Sequence, residues 1–202
     1  MHETPRLVVV ALVLAGLLVL LLNRDPQPIQ SAWVPPNTGL AAQTQLQALQ
    51  GRGMAAASYP QGNPLGAPNT VMTQGYGVGS HAPAATWGAI DLAIDGDADG
   101  RADPHASWNH PVYATHSGVI TTTPNSWPAG NHVWVSNEQY RTGYAHLAEF
   151  AVVAGQTVNP GDLIGYMGSS GQSSGPHLDY QIWVWQGGQW VNQNPLDFGV
   201  FP

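Results

Sequence analysis

The rhythm of apolar and polar positions changes twice along this 202-residue chain. A short polar leader with one arginine, Arg6, is followed by an unbroken apolar run from Leu7 to Leu22. That run is near the lower limit for crossing a bilayer and long for the core of a signal peptide. The polar, bulky Asn23-Arg24-Asp25-Pro26 offers no small-x-small cleavage site, so residues 1–22 are expected to form an uncleaved signal anchor, a single transmembrane helix. A cleaved signal peptide, giving a secreted protein, is the alternative. Arg6 and Arg24 flank the run symmetrically and leave its orientation open.

Residues 23–68 then lose periodicity. Pro26, Pro28, Pro35, Pro36, Pro60, Pro64 and Pro68 are interleaved with Gln, Ala, Asn and Gly, which predicts a linker. From residue 69 to 202 the pattern becomes short alternating runs between turn residues. Strands are predicted over 111–114, 118–122, 132–135, 142–147, 163–167, 177–184 and 189–191, separated by Ser-Gly, Pro-Asn, Asn-Pro-Gly-Asp and Gly-Gly turns. Sustained helical periodicity is missing, so the domain is predicted to be all-β, built mostly of antiparallel strands. The clearest run is 177–184, where Leu178, Tyr180, Ile182 and Val184 alternate with His177, Asp179, Gln181 and Trp183. His177 and Asp179 therefore share one face of a sheet. Alone, that pair reads equally as a metal or proton-transfer site and as a surface hydrogen bond.

Composition narrows the chemistry. The chain has 24 Gly, 17 Pro and 8 Trp, and a formal net charge of −7. Its basic residues are all Arg, and only Arg101 and Arg141 follow residue 68. Such a domain has no electrostatic attraction for nucleic acid. With no Cys, a metal site must use nitrogen and oxygen ligands.

Further candidates are His81 in Gln-Gly-Tyr-Gly-Val-Gly-Ser-His, Asp91 in Gly-Ala-Ile-Asp-Leu-Ala and His146 in Tyr-Ala-His-Leu. Together with His-Pro-Val-Tyr-Ala, Gly-Gln-Thr-Val-Asn-Pro-Gly-Asp-Leu-Ile-Gly and Gly-Ser-Ser-Gly-Gln-Ser-Ser-Gly-Pro-His-Leu, these motifs resemble, in order, the lysostaphin and LytM type of zinc endopeptidases, which cleave peptide cross-bridges of bacterial peptidoglycan. The resemblance runs from about Val71 to Phe201. It implies a sheet-lined substrate groove with zinc at its floor, His81, Asp91 and Asp179 as metal ligands, and His146 and His177 as the proton-transfer and transition-state-stabilising residues. It also implies an extracytoplasmic domain acting on cell-wall peptides. Two departures stand out. The family's common His-x-x-x-Asp pair is here a wider His81…Asp91, and the second histidine of its His-x-His pair is Asp179. The second departure motivates an alternative: a degenerate domain that binds cell wall or activates a partner hydrolase.

A separate acidic loop, Asp95-Gly-Asp97-Ala-Asp99-Gly-Arg-Ala-Asp103, spaces carboxylates as calcium loops do, with Ala106 where an EF-hand places its glutamate. The residues Asp95, Asp97, Asp99 and Asp103 are thus either a structural calcium site or a solvated turn. His105, His110, His116 and His132 are expected to have no catalytic role. The tryptophans are expected in core or groove wall, with Trp87 and Trp127 nearest a substrate.

Overall fold

The computed structural model describes residues 59–200. The expected anchor and residues 23–58 of the expected linker lie outside the described residues. Among the described residues no helix is long and apolar enough to cross a membrane.

The strands are β1 (Thr70–Gln74), β2 (Ile90–Ile94), β3 (Pro111–Tyr113), β4 (Gly118–Ser126), β5 (Gly130–Ser136), β6 (Tyr140–Leu147), β7 (Glu149–Phe150), β8 (Thr157–Val158), β9 (Leu163–Tyr166), β10 (Leu178–Gln186) and β11 (Gln189–Gln193). Two one-turn helices, α1 (Ala84–Trp87) and α2 (Pro104–Ser107), interrupt them. An eight-stranded sheet has the order β1-β2-β10-β6-β5-β4-β8, with β11 also pairing β10; β3-β9-β7 form a second sheet. Every pairing between these strands is antiparallel, as the alternation predicts.

Strand β10 is central because both its faces have definite work. Leu178, Tyr180 and Ile182 are fully buried and Val184 nearly so, whereas Asp179, Gln181 and Trp183 sit on the half-buried opposite face. The tyrosines keep their hydroxyls satisfied within the core. The Tyr180 hydroxyl lies 2.7 Å from Thr115 Oγ1, and that of Tyr144 lies 3.1 Å from the same atom. His116 closes this polar chain with Nε2 3.0 Å from Thr142 Oγ1. Burial pushes its pKa down to about 4, against opposing contacts with the Ser117 and Val135 backbone, so it is a neutral core residue.

Strands β1, β2, β7 and β8 were not among the predicted runs, and two departures bear on the site and the core. Strand β2 was not among the predicted runs because all five of its residues are buried, leaving no alternation to read. The last part of the expected linker, residues 59–68, also packs against the β-domain. Leu65 is 1% exposed and joins the hydrophobic core. The Pro64 carbonyl accepts from the Tyr113 amide at 2.8 Å, and the Leu65 carbonyl lies 3.0 Å from His110 Nε2. Proline carbonyls accept as well as any others, so a proline-rich segment docks wherever a neighbour supplies donors and a single Leu fills a core position. Leu65→Ala is expected to cost about 2–5 kcal/mol in denaturant unfolding. An unchanged midpoint would show that this segment adds nothing to the core.

Candidate metal centre

The register of the main sheet creates the site. Asp179 on β10 lies directly opposite Asp91 on β2, with Ala145 of β6 on its other side. Like charges facing each other across an antiparallel pair repel, and removing them from water raises the cost. Both side chains are largely buried, 12% and 15% exposed. Such a pair needs a cation.

His81 is the nearest group able to provide positive charge. It ends a 3-10 turn, Gly79–His81, in the connection between β1 and β2. Its Nε2 lies 3.2 Å from Asp91 Oδ1 and 3.5 Å from Asp179 Oδ2, while Nδ1 lies 3.1 Å from the Gly75 carbonyl. A carbonyl only accepts, so Nδ1 carries a proton and Nε2 faces the carboxylates. Burial by itself pushes the imidazole pKa down; the contacts with Asp179 and Asp91, and then Gly75, overcome it and raise the pKa to about 10. Without a metal the pair is held by an imidazolium.

One donor atom from each of His81, Asp91 and Asp179 lies within 4.8 Å of the other two. Asp91 Oδ1 is buried and has no hydrogen-bond partner, although His81 Nε2 is 3.2 Å away and His177 Nε2 3.7 Å away. A buried carboxylate oxygen with an unfilled lone pair, where two ring nitrogens meet it, fits a cation better than a proton network. The residues suit a divalent ion with one nitrogen and two oxygen ligands.

The two other expected site histidines stand beside these three. His146, near the end of β6, has a left-handed backbone with φ of 61°, which a non-glycine residue adopts only when its surroundings enforce it. Its amide donates to the Ala129 carbonyl at 2.8 Å and its Nδ1 to the Ser170 carbonyl at 2.7 Å. His177 donates from Nδ1 to the Gly175 carbonyl at 2.8 Å, and its ring centroid is 4.8 Å from that of His146. Burial lowers the His146 pKa, and the neighbouring His177 adds to the effect against the contact with Ser170. His146 is therefore neutral at neutral pH, with Nε2 free to take a proton.

A recess of about 350 Å³ lined by all five residues opens into a groove of about 850 Å³. Trp87, Trp127, Trp134, Trp183, Gln181 and His132 are among its walls. Trp127 is 77% exposed. His132 is the groove residue that the sequence expectation passed over. Burial pushes its pKa down to about 4, and its Nε2 has no hydrogen-bond partner. The signal lay on the next strand: a Cβ at Gly143 would stand 2.9 Å from that nitrogen and 2.7 Å from the Trp134 ring.

The acidic loop is organised differently from a four-carboxylate calcium site. Asp95 accepts the backbone amides of Ala98, Asp99 and Gly100, which hold its pKa below the usual carboxylate range against the effect of burial. Asp103 caps α2, accepting from the His105 and Ala106 amides. Asp95, Asp97 and Asp99 do bring one oxygen each within 4.8 Å, but Asp103 stands outside that group. The backbone amides already organise the turn around Asp95, and the expected four-carboxylate site does not assemble.

Residues 101–196 match the sequence model of peptidase family M23. This segment is a peptidase M23 domain. The match includes His146, His177 and Asp179, whereas His81 and Asp91 precede it and are brought to the same centre by β1, β2 and their connection. The chain is similar to the peptidoglycan DD-endopeptidase ShyA of Vibrio cholerae, at 41% identity over 75 residues, 37% of this chain and 17% of that protein. It is also similar to the DD-carboxypeptidase/endopeptidase Mpg of Neisseria meningitidis, at 41% identity over 83 residues, 41% of this chain and 19% of that protein. The alignments thus span less than a fifth of these curated relatives. Among solved structures, the antimicrobial peptidase lysostaphin from Staphylococcus simulans superposes with a TM-score of 0.53 and 26% identity, covering 71% of this chain and 53% of that one.

The metal-free protein is expected to lose stability as pH rises. His81 has a folded pKa near 10 against an ordinary 6.5, so its contribution is fully present below pH 6.5 and is lost as pH climbs towards 10. Melting temperature followed from pH 6.5 to 10 should fall in wild type and fall less in His81→Ala. Parallel profiles would exclude His81 as the counter-ion of the carboxylate pair.

Proposed function

We propose that this chain is a zinc-dependent endopeptidase that hydrolyses peptide cross-links of bacterial peptidoglycan, held at the cell membrane by residues 1–22 with the M23 domain outside the cytoplasm. The observation that carries the reading is the convergence of His81, Asp91 and Asp179 beside His146 and His177 at one end of an open groove. The activities named for ShyA and Mpg support the substrate class.

His81 Nε2 and one oxygen each of Asp91 and Asp179 would hold the ion. Zinc so held supplies Lewis acidity, bringing the pKa of a water towards neutrality and polarising the scissile carbonyl. The remaining work falls to the protein. His146, neutral and fixed through Nδ1, accepts the proton of the attacking water on Nε2 and returns it to the leaving amine. His177, fixed in the same way, directs its Nε2 side towards the centre and hydrogen-bonds the oxyanion when protonated there. The groove beyond holds the peptide against aromatic walls and away from bulk water.

Asp179 also favours a second reading, a domain that binds cell wall or activates a partner hydrolase without cutting. A carboxylate in place of an imidazole adds negative charge and a harder ligand, which lowers both the preference for zinc and its Lewis acidity. Elemental analysis and digestion of purified peptidoglycan separate the two. The enzyme should carry about one zinc per chain, as a single such site requires, and release new amino termini from the wall. Asp91→Ala should lose the zinc. His146→Ala should keep it while kcat falls by roughly 10²–10⁴-fold. Wild-type protein that holds zinc, sediments with peptidoglycan and releases nothing would establish the binding reading instead.

A further inference from the structure

Asp179 has two oxygens where an imidazole would offer one nitrogen, and the residues that follow it on β10 treat those oxygens differently. Gln181 and Trp183 share its face of the strand. The Gln181 amide Nε2 donates to Asp179 Oδ1 at 3.1 Å, and the Trp183 indole Nε1 donates to Gln181 Oε1 at 3.1 Å. The direction of this chain is fixed by chemistry. An indole N–H only donates, so it takes the oxygen of the Gln181 amide, and the NH₂ must then face Asp179, which as a carboxylate only accepts. Asp179 Oδ2 is left facing His81 Nε2 at 3.5 Å.

We propose that Gln181 and Trp183 form a positioning relay that turns Asp179 into a one-oxygen ligand, so that a carboxylate takes the place of a single ring nitrogen. The proposal rests on the metal-site reading above. A carboxylate beside a divalent ion can engage it with one oxygen or with both, and with both it occupies the position that water needs. Here Oδ1 is withdrawn by Gln181, and Trp183, anchored on the same rigid strand, keeps the amide from turning over. Neither residue touches the ion or the substrate's reacting atoms through this relay; both act through Asp179, as outer partners of metal ligands commonly do.

The test measures metal binding by the full chain stripped of metal, with zinc titrated calorimetrically in competition with a chelator. Absorption spectra of the cobalt-loaded proteins report coordination number. Gln181→Leu removes the donor, and Gln181→Glu keeps the size and shape while presenting oxygen in place of the NH₂. Both should weaken zinc binding by about 10–100-fold, with the cobalt bands weakened towards those of higher coordination; the metal-free melting temperature should hold in Gln181→Leu and fall in Gln181→Glu, whose carboxylate repels Asp179. Trp183→Phe should shift affinity in the same direction by less. The double variant Gln181→Leu/Trp183→Phe should bind no more weakly than Gln181→Leu alone, because the second link acts only through the first. Wild-type affinity and cobalt spectrum in either Gln181 variant would overturn the relay. So would a Trp183 loss that simply adds to the Gln181 loss. If the wild-type protein binds neither zinc nor cobalt, the metal-site reading itself fails and the relay falls with it, a result distinct from a wild type that binds while its variants bind equally well.

Discussion

The structure depends on a repulsion that it must neutralise. Asp91 and Asp179 are cross-strand neighbours at the junction of β2 and β10, away from bulk water. The fold keeps them there through the opposite face of the same strands. Ile90 and Leu92 on β2, and Leu178, Tyr180 and Ile182 on β10, are fully buried on either side of the two carboxylates. Slipping β10 by one residue would drive Asp179 into the core and expose Tyr180, so hydrophobic burial sets the position of the charges. The site is a consequence of register before it is a matter of chemistry.

The nitrogens around that pair follow one rule. His81, His146 and His177 each give Nδ1 to a backbone carbonyl, of Gly75, Ser170 and Gly175 respectively. A peptide carbonyl does not titrate, so the Nδ1–H stays in place and Nε2 is the atom left for metal, proton or substrate. The three carbonyls come from irregular segments between strands, which explains why a glycine-rich connection precedes His81 and another precedes His177. It also explains the left-handed backbone at His146: the turn of chain there points the ring at the Ser170 carbonyl while its amide pairs with Ala129.

Where a side chain faces two different environments, the sequence displays it; where both faces are buried or the partner is distant, it does not. The alternation at 178–184 disclosed β10 and placed His177 and Asp179 on the same side of the sheet, and the ordered motifs brought in His81, Asp91 and His146. Strand β2 carries one of the two carboxylates, yet only the motif around Asp91 marked it, because five consecutive buried residues have no period. Leu65 was hidden among prolines whose composition reads as a tether. His132 became a groove residue only because the missing side chain of Gly143 on the neighbouring strand leaves room for its ring and that of Trp134, a cross-strand relation invisible in one dimension. Asp103 shows the converse: a spacing that fits a calcium loop brings Asp95, Asp97 and Asp99 together, while the Asp103 side chain caps a one-turn helix instead.

If Asp179 stands where the proposed reading puts an imidazole, it changes how the work of the site is divided. With the two carboxylates ionised and His81 protonated, the centre carries one uncompensated negative charge; with a divalent ion and a neutral His81 it carries none. A divalent ion would thus be the better counter-charge, and Asp91 Oδ1, buried without a hydrogen bond and with only ion-pair contacts to His81 and His177, is where the deficit is felt. Yet a neutral centre attracts a developing oxyanion less strongly than one left with a net positive charge, as two imidazoles and one carboxylate would leave it. On the proposed hydrolytic reading, electrostatic stabilisation of the transition state would therefore come in larger part from His146 and His177, whose rings lie 4.8 Å apart. On that reading, the shift of burden gives a physical reason for both imidazoles to be so firmly anchored beside the carboxylate pair.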